Sequence, residues 1–172
     1  YTYPSGLIWI GTFGQGLYIY HPEKNIFLHL TEKDKISNNS ILNIDGRDQT
    51  VWLATLGGIT EIKWTKDPLT DELQIIDFLE KFDFPAGYVY DVYADDAGKT
   101  WFGTDGKGLF YLDHDMFKAI AFQSENSTST DEDLKTIYSI TTDQNQTIWL
   151  SGSKGNILHI DVDGKLLKQI DA

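Results

Sequence analysis

Along most of this chain apolar and polar residues alternate with a period of two, in short runs broken by Gly, Asp and Asn. That is the pattern of half-buried β-strands joined by tight turns. Leu17 and Ile19, and Leu109 and Tyr111, are such alternating pairs. Four runs open on a Trp and reach a Gly before a second β-rich run: Trp9 to Tyr20, Trp52 to Ile62, Trp101 to Leu112 and Trp149 to Ile160. The third nearly repeats the first, with Trp101-Phe-Gly-Thr104 standing where Trp9-Ile-Gly-Thr12 stands. No stretch holds a helical period; Asp131 to Lys135, within Ser124 to Thr136, is read as a loop.

Successive Trp positions lie 43, 49 and 48 residues apart. A four-stranded propeller blade needs roughly 40 to 50 residues, whereas solenoid repeats run shorter. Ahead of the last three Trp residues stand Ile41 and Ile44, Val89 and Val92, and Ile137 and Ile140, read as the innermost strand of each blade. Second strands end at Thr12, Thr55, Thr104 and Gly152, with turn glycines Gly16, Gly58, Gly108 and Gly155 after them. Ile26 to Leu28, Leu73 to Leu79, Met116 to Phe122 and Leu166 to Ile170 are read as outer strands. The expected fold class is therefore all-β: a β-propeller fragment of about four blades, each a four-stranded antiparallel sheet, filling residues 1–172. The repeat copies fall at about 1–35, 36–83, 84–131 and 132–172.

Gly6-Leu-Ile-Trp9 matches only the end of an inner hairpin, so the first blade is expected to lack its inner strand. A cut arc of a larger ring is favoured over four-bladed closure, which fits the length but would leave an open edge.

Composition narrows the partners. Asp and Glu number 26 against 14 Lys and Arg, for a net charge of −12, which repels phosphate and excludes nucleic acid as the expected ligand. No apolar run approaches the roughly 20 residues of a membrane span. There are no cysteines, which removes disulfides and thiol chemistry and leaves the compartment open.

Ser37-Asn-Asn39-Ser-Ile41-Leu-Asn-Ile44 leading to Trp52, and Val92 to Asp95 with Gly98, Trp101-Phe-Gly-Thr104 and Gly108-Leu109, resemble the two-component regulator propeller repeat. The resemblance implies the periplasmic part of a hybrid sensor histidine kinase, in propellers of generally seven blades that bind oligosaccharides and signal as dimers. Two copies depart from the pattern: Arg47 takes the place of an acidic turn residue, and Ser151-Gly152 takes the place of Gly-Thr. Both copies are expected to be distorted.

The repeated Trp residues are read as packing devices, since repeats bury the same face each time; Trp64, outside the register, stays under watch as a ligand-facing ring. The carboxylates are read as turn residues. Asp95-Asp96 and Asp161-Val-Asp163-Gly164 are similar to pieces of calcium loops but lack the later Glu. His21, His29, His114 and His159 show no zinc spacing. Asn126 and Asn145 open glycosylation triplets, of consequence in a eukaryotic secretory setting. Neither a catalytic residue, a metal nor a cofactor is expected.

In a propeller, loops from an outer strand to the next inner strand, and loops joining second and third strands, share one face, where binding concentrates. Here these are Leu30 to Asn39, Phe82 to Tyr88 and Gln123 to Lys135, with the turns near Phe13, Leu56 and Asp105. The expected ligand residues are Phe13, Tyr88 and Tyr90 for stacking, and Gln15, Asn38, Asn39, Asp105 and Lys107 for hydroxyl groups. The expected function is a non-catalytic, periplasmic sensor module that recognises an oligosaccharide and signals to a histidine kinase. Its partners would be neighbouring blades, other domains of the parent chain and a second copy in a homodimer. A glycan lyase or hydrolase, and a protein-interaction propeller without a small-molecule site, are the alternatives.

Overall fold

The computed structural model describes residues 1–2, 6–85, 87–120, 122 and 135–170. The chain forms two compact units, Tyr1–Val89 and Tyr90–Ala172. Unit 1 holds a three-stranded meander, β1 (Ile8–Gly11), β2 (Leu17–His21) and β3 (Ile26–Leu30), followed by a four-stranded one, β4 (Ile41–Arg47), β5 (Thr50–Thr55), β6 (Gly58–Lys63) and β7 (Gln74–Asp77). The third sheet consists of β8 (Val89–Ala94), β9 (Lys99–Thr104), β10 (Leu109–Asp113) and β11 (Met116–Ala119). The fourth consists of β12 (Ile137–Thr142), β13 (Ile148–Gly152), β14 (Ile157–Ile160) and β15 (Leu166–Ile170). These are the blades of an all-β propeller fold. In the first, Tyr1 and Thr2 stand where an inner strand would: Trp9 N donates to Tyr1 O at 2.8 Å, and Thr2 bridges Ile8.

Each sheet turns its Trp to one face, here called the front. In unit 1, Trp9, Leu17 and Ile19 pack against Val51, Leu53 and Ile62 on the back of the second sheet. Unit 2 repeats this, Trp101, Leu109 and Tyr111 lying on Ile148, Leu150, Leu158 and Ile160. Close approach depends on a glycine two residues after the Trp. A Cβ on Gly11 would stand 2.6 Å from Ile41 Cγ2, and one on Gly103 2.9 Å from Ile137 Cγ2.

The inner-strand aliphatics explain themselves in the register. A period of two sends residues three apart to opposite faces, yet Ile137 and Ile140 are both buried. A register shift between Ile137 and Ser139, matched by one between Ile41 and Asn43, supplies the extra residue.

Two expectations need correction. The run read as an outer strand from Leu73 to Leu79 is a strand only to Asp77; a one-turn helix, α1 (Phe78–Phe82), follows. Asp77 caps it by accepting from Leu79 N at 2.8 Å, and Phe78 is fully buried beneath it. The strand expected from Met116 to Phe122 ends at Ala119. The loop reading of Asp131 to Lys135 falls mostly outside the described residues, as does Asn126. Trp64 is a core residue, 6% exposed, with its ring 5.3 Å from that of Trp9.

Candidate functional site

The Thr that ends each second strand locks the following hairpin. Thr12 Oγ1 donates to Gly16 O at 2.8 Å, Thr55 Oγ1 to Gly58 O at 2.9 Å and Thr104 Oγ1 to Gly108 O at 2.6 Å. Gly16 and Gly108 have φ of 80° and 81°, a left-handed backbone that glycine adopts without strain. The fourth copy has Gly152 in place of the Thr, and its loop becomes a 3-10 turn, Ser153–Gly155, with no side-chain cap. That copy is distorted as its sequence predicts.

In unit 1 the locked loop is tied to the segment entering the second sheet. Gly14 N and Gly16 N both donate to Asn39 O, at 3.0 and 2.8 Å, and Phe13 bridges Ser40. Phe13, Gln15, Asn38 and Asn39 are thereby brought together. Phe13 is 76% exposed, its ring offered to solvent on a fixed backbone. Asn38 Oδ1 accepts from Ser40 N at 2.8 Å, and Asn39 Oδ1 from Glu32 N at 2.9 Å. Both Asn side chains are thus oriented by their oxygens, which points each Nδ2 donor elsewhere. Tyr88 is exposed near the end of unit 1, and no described contact joins it to this cluster.

Unit 2 repeats the construction. Gly108 N donates to Lys135 O, Gly106 N to Thr136 Oγ1 at 3.1 Å, and Thr136 Oγ1 to Asp105 Oδ1 at 3.2 Å. Asp105 and Lys107 are exposed on this loop. Tyr90 lies 5.0 Å, ring to ring, from Tyr138. Tyr138 escaped the sequence reading although it follows Ile137 as Tyr90 follows Val89.

The turn acids hold the frame. Asp95 Oδ2 accepts from the indole of buried Trp101 at 2.8 Å, and Asp95 Oδ1 from Lys99 N at 2.8 Å. Asp143 does the same for Trp149 at 3.3 Å, and the Thr147 hydroxyl, followed by the Trp149 indole, holds its carboxyl below the usual carboxylate range against opposing desolvation. Where the second copy has Arg47, the guanidinium lies 5.6 Å from the Trp52 ring centre, and the buried indole N–H, like that of Trp9, has no acceptor among the described residues. Asp161 Oδ1 accepts from Asp163 N at 3.0 Å and Lys165 N at 2.8 Å, holding the turn between β14 and β15. Asp71 accepts from Lys66 N at 2.6 Å, from the Thr65 hydroxyl at 2.7 Å and from two further backbone N–H groups, which lowers its pKa to about 2. Sequence reasoning passed over Asp91, buried inside β8, whose Oδ2 accepts from Ile140 N at 2.7 Å beside the bulge in β12. No group of three or more His, Asp or Glu side chains among the described residues is placed to hold a metal ion.

Grooves also open beside the outer strands. Two in unit 1, of about 660 and 690 Å³, share Lys35 and Ile75; one in unit 2, of about 390 Å³, is lined by Tyr111, Ile120 and Lys165. None of the eight expected ligand residues lines them.

Residues 83–106 match the family described as two component regulator propeller, so the chain carries a repeat of that family. A histidine kinase, P4, of Formosa agariphila is 25% identical over 158 residues, covering 88% of this chain and 11% of its own length. The extracellular domains of two Bacteroides thetaiotaomicron hybrid two component systems superpose with TM-scores of 0.67 and 0.65, at 20% and 24% identity. They are matched over 91% and 93% of this chain and 21% and 20% of theirs. PorZ, a surface component of the Porphyromonas gingivalis type-IX secretion system, gives 0.72 at 17% identity, over 98% of this chain and 26% of its own. These structures share the fold. The chain spans 11% of the curated relative and about a fifth to a quarter of these neighbours. No helix among the described residues is long and apolar enough to cross a membrane.

Proposed function

We propose that this chain, carrying a repeat of the two component regulator propeller family, is a non-catalytic, extracytoplasmic sensor module that recognises an oligosaccharide for a histidine kinase elsewhere in the same protein. The observation that supports it most is the pair of locked loops: in each unit a second-to-third-strand hairpin is tied by backbone bonds to the segment entering the next inner strand. Preorganised loops lose little conformational freedom on binding, which favours affinity. They carry the chemistry a sugar needs: the exposed Phe13 ring, the amides of Gln15, Asn38 and Asn39, and the Asp105 and Lys107 charges, with Tyr88 and Tyr90 as further stacking rings. The match to extracellular domains of hybrid two component systems favours an extracytoplasmic setting, and the histidine kinase relative favours the kinase as signalling partner.

Calorimetric titration with neutral and acidic oligosaccharides, with chromatography of each mixture after incubation, tests this reading. Saturable binding with the sugar recovered intact is expected. Any shortened or unsaturated product would replace the sensor with a propeller enzyme, and no heat from the whole panel would favour a protein-interaction propeller.

A further inference from the structure

We infer that the step from Asp105 to Gly106, on the locked hairpin of unit 2, is a site of spontaneous backbone isomerisation, with the Thr136 hydroxyl passing the proton that the reaction must move. The product is an isoaspartyl linkage on the loop face. The chain holds three Asp-Gly steps, beginning at Asp45, Asp105 and Asp163. Glycine leaves its own amide unhindered, so at each step the Gly nitrogen can close a five-membered imide ring on the Asp Cγ. The fold is what separates the three.

Asp45 and Gly46 lie inside β4, paired with Trp52 and Val51 of β5. Asp45 Oδ1 accepts from Gly46 N at 2.8 Å, which sets the carboxylate in the line of the N–H, whereas attack on Cγ must come perpendicular to the amide plane. A Cβ on Gly46 would stand 2.7 Å from Thr50 O, so the backbone there is hemmed in. At the third step Gly164 N donates to Asp161 O at 3.0 Å, Asp163 Oδ1 pairs with Lys99 Nζ at 3.5 Å, and a Cβ on Gly164 would collide with Ile120 Cδ1. Nitrogen, carboxylate and backbone are all held.

Asp105 and Gly106 stand differently. Both are exposed, Gly106 has φ of 71°, and a Cβ there would meet nothing within 4 Å. Thr136 Oγ1 accepts from Gly106 N at 3.1 Å and donates to Asp105 Oδ1 at 3.2 Å. One hydroxyl thus joins the proton the nucleophile must lose to the oxygen that must leave, an acid–base relay within a single chain. As the bond from Gly106 N to Asp105 Cγ forms, the amide proton passes to Thr136 Oγ1 and the hydroxyl proton passes to Oδ1. Oδ1 then departs as water with one further proton from solvent, and Oδ2 remains as the imide carbonyl. Water reopens the ring at either carbonyl. Opening at the main-chain carbon of Asp105 leaves the chain running through Cγ, one methylene longer.

Incubation of the 172-residue chain at neutral pH, folded and in guanidinium chloride, with peptide mapping over a time course tests this. Isoaspartate, and the imide that is lighter by one water, are read at each step by chromatography and electron-transfer fragmentation. In the folded chain isoaspartate is expected to form at Asp105 about tenfold or more faster than at Asp45 or Asp163, and faster than at Asp105 in the denaturant. Thr136→Val is expected to slow it by about tenfold or more, and Thr136→Ser, which keeps the hydroxyl, to retain the wild-type rate. Circular dichroism checks folding; should Thr136→Val fail to fold, the ratio of folded to denatured rates in the wild type decides. Equal rates at the three steps of the folded chain overturn the inference. So does a folded rate at Asp105 no higher than the denatured one, or a Thr136→Val rate at or above wild type, either of which would make the hydroxyl a restraint.

Discussion

Replacing Asp95 by Ala removes both acceptors that fix the hairpin ahead of Trp101, and its cost follows from the geometry. The Trp101 ring is fully buried, so its indole N–H, now 2.8 Å from Asp95 Oδ2, would be left without a partner in the core. An orphaned buried donor costs about 1–3 kcal/mol, and losing the bond from Lys99 N adds about 1 kcal/mol. The expected total is about 2–4 kcal/mol, or roughly 4–16 °C in Tm for a chain of this size. Asp95→Asn keeps an acceptor for one of the two donors and is expected to lose about half as much. Urea unfolding of the wild type, Asp95→Ala, Trp101→Phe and the double variant closes a thermodynamic cycle, because Phe packs in the same place without a donor. The coupling between the two sites is expected at about 1–3 kcal/mol. Coupling indistinguishable from zero would refute the reading that the acid serves the indole.

Asp91→Ala frees the buried Ile140 amide; a loss of about 1–3 kcal/mol is expected, with faster hydrogen exchange at Ile140 than at its strand neighbours. Gly103→Ala places a methyl 2.9 Å from both Ile137 Cγ2 and Ile137 O and is expected to destabilise by about 1–3 kcal/mol in denaturant unfolding, whereas Gly106→Ala meets open space and costs what its left-handed backbone demands. The Asp71 carboxyl is expected to titrate by NMR near pH 2; since the folded pKa lies below the ordinary 3.8, its stabilising bonds are complete above pH 3.8 and are lost as pH falls through about 2. In Asp71→Asn that acid-side loss should vanish.

The features that repeat are those the sequence made legible. Trp and Gly at fixed spacing gave the sheets, because within each unit one sheet buries that face on the other, and the Ile and Val pairs three apart marked inner strands, whose bulges the structure then supplied. One departure was legible too: Gly152 in place of Thr marks the altered fourth hairpin. What escaped depends on tertiary context. The apolar run ending at Leu79 hides α1, although Asp77 followed three residues later by Glu80 is a helix-start pattern. Asp91 reads as a solvated strand acid until the freed Ile140 amide is seen beside it. At the loop face, the grouping of Phe13, Gln15, Asn38 and Asn39 was readable from propeller geometry, whereas the use of both Asn oxygens in holding the loops was not.

The central claim is that the locked loops bind an oligosaccharide through the Phe13 ring and the neighbouring amides. Calorimetry of wild type and Phe13→Ala against the best ligand of the panel tests it most directly, since an exposed ring can be removed without touching the core. A weakening of about tenfold, equivalent to about 1.4 kcal/mol, is predicted with unfolding unchanged. Equal affinity in the two proteins would contradict the placement of the site, and the absence of any binding would contradict the sensor itself.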